Sequence, residues 1–272
     1  MQKKRIGLVC SGGGVRGAAH LGLLQALEEE NIEVHCMSGA SSGALVAGFY
    51  AAGYSPSAIL DIFESFPLFH YSHLSFSKAG IINSEKLATK LQAFFKEKNI
   101  EELSKKIFIS VTDLAKAECQ LKDSGPLVNT LLASSALPPL LAPVRIEGRL
   151  YGDGGIMNIF PVGPVRMYCD RVIGSFVNLV NPEKQQLPSN PIQYFRRAAS
   201  LRFYTDARTK FDQCDYLFQP AGIQSVSYVR RAHLKACYQV GYETALRQMD
   251  QIKMALEEER VAAGAEMLSQ KR

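Results

Sequence analysis

Residues 5–17 read Arg5-Ile-Gly-Leu-Val-Cys-Ser-Gly-Gly-Gly-Val-Arg-Gly17, and residues 33–43 read Glu33-Val-His-Cys-Met-Ser-Gly-Ala-Ser-Ser-Gly43. Each is a short apolar run that breaks at small residues and opens onto a helical pattern. The first predicts a strand to Cys10, a glycine turn over Ser11–Gly14 and a helix from near Val15. The second predicts a strand ending at Met37-Ser38, a turn over Gly39–Gly43 and a helix over Ser42–Ala52. Strands alternating with helices in this way indicate an α/β architecture. The two turns then lie at the same ends of neighbouring strands.

The second turn has the pattern G-x-S-x-G, with Ser41 between Gly39 and Gly43. A sharp strand-to-helix turn strains the central serine and lifts its hydroxyl clear of the sheet. The helix behind it points free N–H groups at the same place, which favours developing negative charge. The same five residues also describe a tight connection with a capping serine. The strand before them and the helix after them favour the nucleophile.

The first turn, Gly12-x-Gly14-x-x-Gly17, matches the glycine pattern of dinucleotide-binding proteins. That use requires an acidic residue at the end of the second strand, where this chain has Met37-Ser38 and then the serine turn. A P-loop requires Gly-Lys-Ser/Thr, whereas Gly17 is followed by Ala18-Ala19. What remains is a general anion site made of main-chain N–H groups around Gly12, Gly13 and Gly14. Beside a nucleophilic serine the anion is a tetrahedral oxyanion, and each donor to it lowers the barrier by about 3–4 kcal/mol. Arg16 has two uses here, as a cation facing an anion or as an anchor for the loop.

Ser41 needs a group to take its proton. Of the five histidines, His20 falls within the first helix, His35 within the second strand, His70 and His73 in an aromatic stretch, and His233 at the start of a polar helix. None is in a recognisable catalytic turn. Asp153, in Leu150-Tyr-Gly-Asp-Gly-Gly155, is the better candidate, because flanking glycines let it approach another loop closely. A carboxylate of ordinary pKa near 4 is a poor base for a hydroxyl; a buried one held against Ser41 is a better one. Taken alone, Asp-Gly-Gly also reads as a turn aspartate.

Ser11–Gly17, Gly39–Gly43 and Asp153-Gly-Gly155, in this order, resemble the patatin-like phospholipases, in particular the small single-domain bacterial members. Thr112-Asp-Leu114 and Ala133-Ser-Ser-Ala-Leu-Pro-Pro139 extend the resemblance, which covers residues 5–180 well and the last third poorly. It implies a three-layer α/β/α sandwich with a mostly parallel central sheet, forming one domain over 1–272 with a C-terminal helical part at 190–260. It also implies lipid acyl ester hydrolysis by a Ser41–Asp153 dyad without histidine. The backbone amides of Gly12–Gly14 would form the oxyanion hole, with no metal or cofactor. Head group and acyl chain are not specified by it. A short-chain esterase or thioesterase, or a lipid-binding protein without turnover, are the alternatives.

The chain has 272 residues, 47% of them hydrophobic, which suits one sizeable core. A net charge of +5 is compatible with peripheral contact at an anionic membrane, and no nucleic-acid-binding motif is present. The six cysteines lack a C-x-x-C pair, and the apolar run behind Met1–Arg5 is too short for a signal sequence. Both features predict reduced thiols and a cytoplasmic location. No run approaches the 18 apolar residues of a membrane span. The oligomeric state is left open. The aromatic stretch Phe63–Phe76 reads as a lid, an acyl-chain wall or core under a loop. Leu137–Pro143 reads as a cleft wall, and the arginines of the 192–210 helix as a solvated face. Asp113 reads as a side chain bonded to nearby backbone.

Overall fold

The computed structural model describes residues 4–65, 84–139, 141–180, 190–226 and 231–258. In chain order the elements are β1 (Ile6–Cys10), α1 (Ala18–Glu29), β2 (Val34–Ala40), α2 (Ser42–Ala51), α3 (Pro56–Ser65) and α4 (Ser84–Phe95). Then come β3 (Lys106–Asp113), β4 (Glu118–Lys122), α5 (Leu127–Ser134), β5 (Val144–Ile146), β6 (Arg149–Asp153) and α6 (Val162–Tyr168). The last are β7 (Arg171–Ser175), α7 (Pro191–Arg208), β8 (Tyr216–Phe218), α8 (Leu234–Arg247) and α9 (Met249–Glu257).

The eight strands among the described residues join one sheet of order β5-β6-β3-β2-β1-β7-β8, with β4 added to β3. The β3–β2–β1–β7–β8 part is parallel, while β4, β5 and β6 form an antiparallel wing. Successive side chains of the central strands enter opposite cores, as the two-residue period of a strand requires. Leu8, Cys10, Met37 and Ile173 pack on one face with α1, α2 and α8. Val9, Cys36 and Val172 pack on the other with α6 and the end of α7. Burial on both faces explains why these strands read as unbroken apolar runs, and it makes the fold the expected three-layer α/β sandwich.

The central placement comes from β3. β4 occupies one edge of it; the other edge holds β2 as far as Ser110, opposite Ala40, and β6 from Val111, opposite Asp153. The end of β2 and the end of β6 therefore meet at adjacent positions along one strand. β6 returns toward that point through a two-residue hairpin at Glu147-Gly148, both with positive φ (50° and 80°), the geometry that matches strand twist.

Some expectations shift. The second strand runs on through Ala40, because Gly39 is paired on both sides, to Cys10 and to Ile109. The first helix starts at Ala18, after a 3-10 turn over Gly14–Gly17. α6 was not expected: seven residues are too few to show a helical period, and Gly163 and Pro164 look like a break. Proline is tolerated there because it sits in the first turn. The polar helix expected to start at His233 is followed by a second one: α8 and α9 are joined at Gln248. Residues 66–76 of the aromatic stretch, His70 and His73 lie outside the described residues. Among the described residues no helix is long and apolar enough to cross a membrane.

Candidate active site

The change from β2 to α2 takes place at one residue. Ser41 has φ 52° and ψ −123°, and α2 begins at Ser42. This conformation is rare for any residue but glycine and carries strain. The surroundings enforce it. A Cβ on Gly39 would lie 2.4 Å from Gly43 C, and one on Gly43 would lie 2.2 Å from the Cys10 carbonyl oxygen, so helix and strand touch backbone to backbone. The Ser41 N–H donates to Ser134 Oγ at 3.0 Å, and the Ser134 hydroxyl donates to the Ser110 carbonyl at 2.7 Å. Ser134 thus ties the turn to β3. It has no motif of its own, though it lies within the Ala133–Pro139 stretch.

Asp153 ends β6 and is buried. Its N–H donates to the Ala136 carbonyl at 3.2 Å, and its carbonyl accepts from Thr112 Oγ1 at 2.8 Å. Oδ1 accepts from the Gly155 N–H at 2.6 Å. The glycine beside it allows close approach: a Cβ on Gly154 would lie 2.1 Å from the Ser110 carbonyl oxygen. Burial pushes the carboxyl up from 3.8 to about 7, against the pull of the Gly155 N–H and the Ser41 hydroxyl, both of which lower it. Ser41 thus bears on this carboxyl. No hydrogen bond joins the two here, and Oδ2 is buried without a partner. Such bonds are often long before substrate binds.

The glycine turn lies against Ser41: a Cβ on Gly12 would sit 3.3 Å from Ser41 Cβ. Of the three amides expected to face an anion, one is engaged. The Gly12 N–H donates to the Ile159 carbonyl at 3.1 Å, because residues after Asp153 fold back across the strand ends. Among the described residues, the N–H groups of Gly13 and Gly14 have no partner, and that of Ser42 lies in the unsatisfied first turn of α2. Arg16 is buried and donates from Nε to the Val226 carbonyl at 2.8 Å and from Nη2 to the Gln224 carbonyl at 2.9 Å. Its guanidinium anchors the loop.

His20 is buried and holds the incoming end of that loop. Nε2 donates to the Ser11 carbonyl at 2.8 Å, and the Ser175 hydroxyl donates to Nδ1 at 2.7 Å. Burial lowers its pKa to about 4, so it is a neutral structural residue. His35 accepts from the Ile6 N–H at 3.2 Å, away from the site. Asp113 Oδ1 accepts the N–H groups of Ala115 and Lys116, both at 3.1 Å, which is the backbone role expected of it. The described residues contain no cluster of metal-ligating side chains, and all six cysteines are free thiols.

Residues 8–166, more than half of the chain, match the family model for patatin-like phospholipase. The chain belongs to the patatin-like phospholipase family. An uncharacterized NTE family protein of Mycobacterium tuberculosis is 33% identical over 168 residues, covering 59% of this chain and 45% of that protein. Lysophospholipase nte1 of Neurospora crassa is 27% identical over 176 residues, covering 62% of this chain and 12% of that protein. The chain spans less than half the length of these relatives. Among solved structures, VipD from Legionella pneumophila superposes with a TM-score of 0.52 at 17% identity, covering 92% of this chain and 67% of that one. This likeness is one of fold. The matched family segment contains Ser41, Asp153 and the glycine turn.

Proposed function

We propose that this patatin-like protein is a serine acyl hydrolase cleaving lipid acyl esters through Ser41 and Asp153. The observation that carries the reading is the strained Ser41 at the mouth of β2, bearing on a buried carboxyl at the end of β6. Ser41 Oγ attacks the ester carbonyl carbon as its proton passes to Asp153. The N–H groups of Gly13, Gly14 and Ser42 receive the oxyanion. Collapse breaks the ester bond, and the departing alkoxide takes the proton from Asp153. A water then gives a proton to Asp153 and attacks the acyl-serine, releasing the carboxylic acid and restoring the Ser41 hydroxyl. The relative named as a lysophospholipase supports a lipid substrate.

A fluorophosphonate probe tests the reading. Wild type is expected to be labelled at one peptide, the one carrying Ser41, and kcat/KM over a series of p-nitrophenyl esters to rise with chain length. Labelling with a preference for acetate or butyrate would indicate a short-chain esterase instead. A folded wild type that is neither labelled nor active on any ester would remove the hydrolase reading.

The pH dependence follows from the carboxyl. Asp153 accepts a proton only when ionised, and burial sets its pKa at about 7. Log kcat/KM is therefore expected to climb with unit slope up to about pH 7 and then level off. A profile flat down to pH 5 would rule out a buried carboxylate as base.

A further inference from the structure

The loop that carries the free amides is held from one side by the chain leaving β7. Ser11 N–H donates to the Ser175 carbonyl at 3.0 Å, and the Val177 N–H donates to Ser11 Oγ at 3.0 Å. A Cβ on Gly13 would meet Val177 Cγ2 at 2.5 Å, so loop and chain lie in contact. At the end of this seam Asn178, buried, donates from Nδ2 to the Gly12 carbonyl. Gly12 therefore has both main-chain groups engaged, its N–H by Ile159 and its carbonyl by Asn178.

A trans peptide is planar, and its C=O and N–H point in opposite directions. The Gly12 carbonyl and the Gly13 N–H belong to one such plane. Holding the carbonyl toward Asn178 turns the Gly13 N–H away from it, on the loop that abuts Ser41. Without the Asn178 amide, this plane is free to rotate in a run of three glycines, which have no side chains to resist. A rotated plane presents a carbonyl oxygen where the oxyanion needs a donor. We infer that Asn178 is a positioning residue for oxyanion stabilisation, acting by fixing the direction of the Gly13 N–H. This rests on the serine-hydrolase reading above.

The test compares Asn178→Ala and Asn178→Asp with wild type at pH 8 on one p-nitrophenyl ester. Rates are normalised to the number of sites that a fluorophosphonate labels at long times, so that unfolded protein is not counted. Alanine is expected to lower kcat by about 10- to 100-fold, below the effect of deleting a donor outright, with KM within about twofold. Aspartate, of the same shape but with an oxygen facing the Gly12 carbonyl, is expected to fall further than alanine. A merely structural role gives the reverse order, because aspartate fills the space that alanine empties. Alanine within about threefold of the wild-type kcat, or aspartate faster than alanine, overturns the inference. Should the aspartate variant not fold, the kcat-against-KM split of the alanine variant decides. A wild type without labelling or turnover overturns the hydrolase reading and this inference together, whereas an active wild type with an indifferent Asn178 overturns the inference alone.

Discussion

Asp153→Asn is expected to fold, to lose about 10³-fold or more in kcat, and to be more stable than wild type at pH 8. The loss follows from removing the proton acceptor, whose contribution as a general base is on the order of 10²–10⁴. The gain follows from linkage. The folded carboxyl holds its proton up to about pH 7, whereas an unfolded one releases it near 3.8. Folding therefore takes up a proton between those values. The stabilisation tied to it is full below pH 3.8 and is lost as pH rises through 7. Three pH units at ~1.4 kcal/mol each put the cost of the buried charge on the order of 4 kcal/mol. Asparagine carries no charge, and its side-chain oxygen retains the Gly155 N–H. Denaturant midpoints at pH 5 and pH 8 check this: the gap between variant and wild type should open as pH rises. Near-normal turnover, or a gap that does not change with pH, would sink the assignment of Asp153 as the ionising partner.

The parts of this site that could be read from the chain alone are those set by local geometry. A serine between two glycines, after an apolar run and before a helical one, describes the backbone contact of Gly39, Gly43 and Cys10 without further help. The same holds for Asp153, whose glycine neighbour allows contact with the β3 backbone. The parallel part of the sheet reads nearly as well, because apolar strands alternate with helices there, whereas the half-exposed β4 on the edge of β3 carries no such signal. What could not be read depends on distant partners. Ile159 engages the Gly12 amide across 147 positions, which reduces three expected loop donors to two. Ser134 acts through two hydrogen bonds to main chain and Asn178 through one, and such bonds leave no pattern. One signal was available: a polar asparagine closing the apolar run from Val172, at the strand ends where α/β sheets bind ligands. The raised pKa of Asp153 likewise follows from burial against chain segments far away in sequence.

Ser41→Gly and Ser41→Ala are both expected to abolish fluorophosphonate labelling and ester turnover, yet to differ in stability. Both remove the attacking oxygen. Only glycine also removes the Cβ that makes φ 52°, ψ −123° costly, since this is the mirror image of an ordinary extended conformation and glycine adopts either hand. Strain of this kind costs about 1–3 kcal/mol. The extra freedom of glycine in the unfolded chain works against it by about 0.5–1 kcal/mol. The balance favours glycine over alanine by ~1 kcal/mol, which urea unfolding resolves when the two variants are run side by side. Alanine cannot relax, because the Ser134 bond and the contact of Gly43 with Cys10 hold the turn whatever side chain it carries. The strain at residue 41 is thus maintained by the scaffold, with the serine half-buried where β2 gives way to α2. Equal stability of the two variants would mean that the turn relaxes freely, and would remove the case that this serine is held for attack.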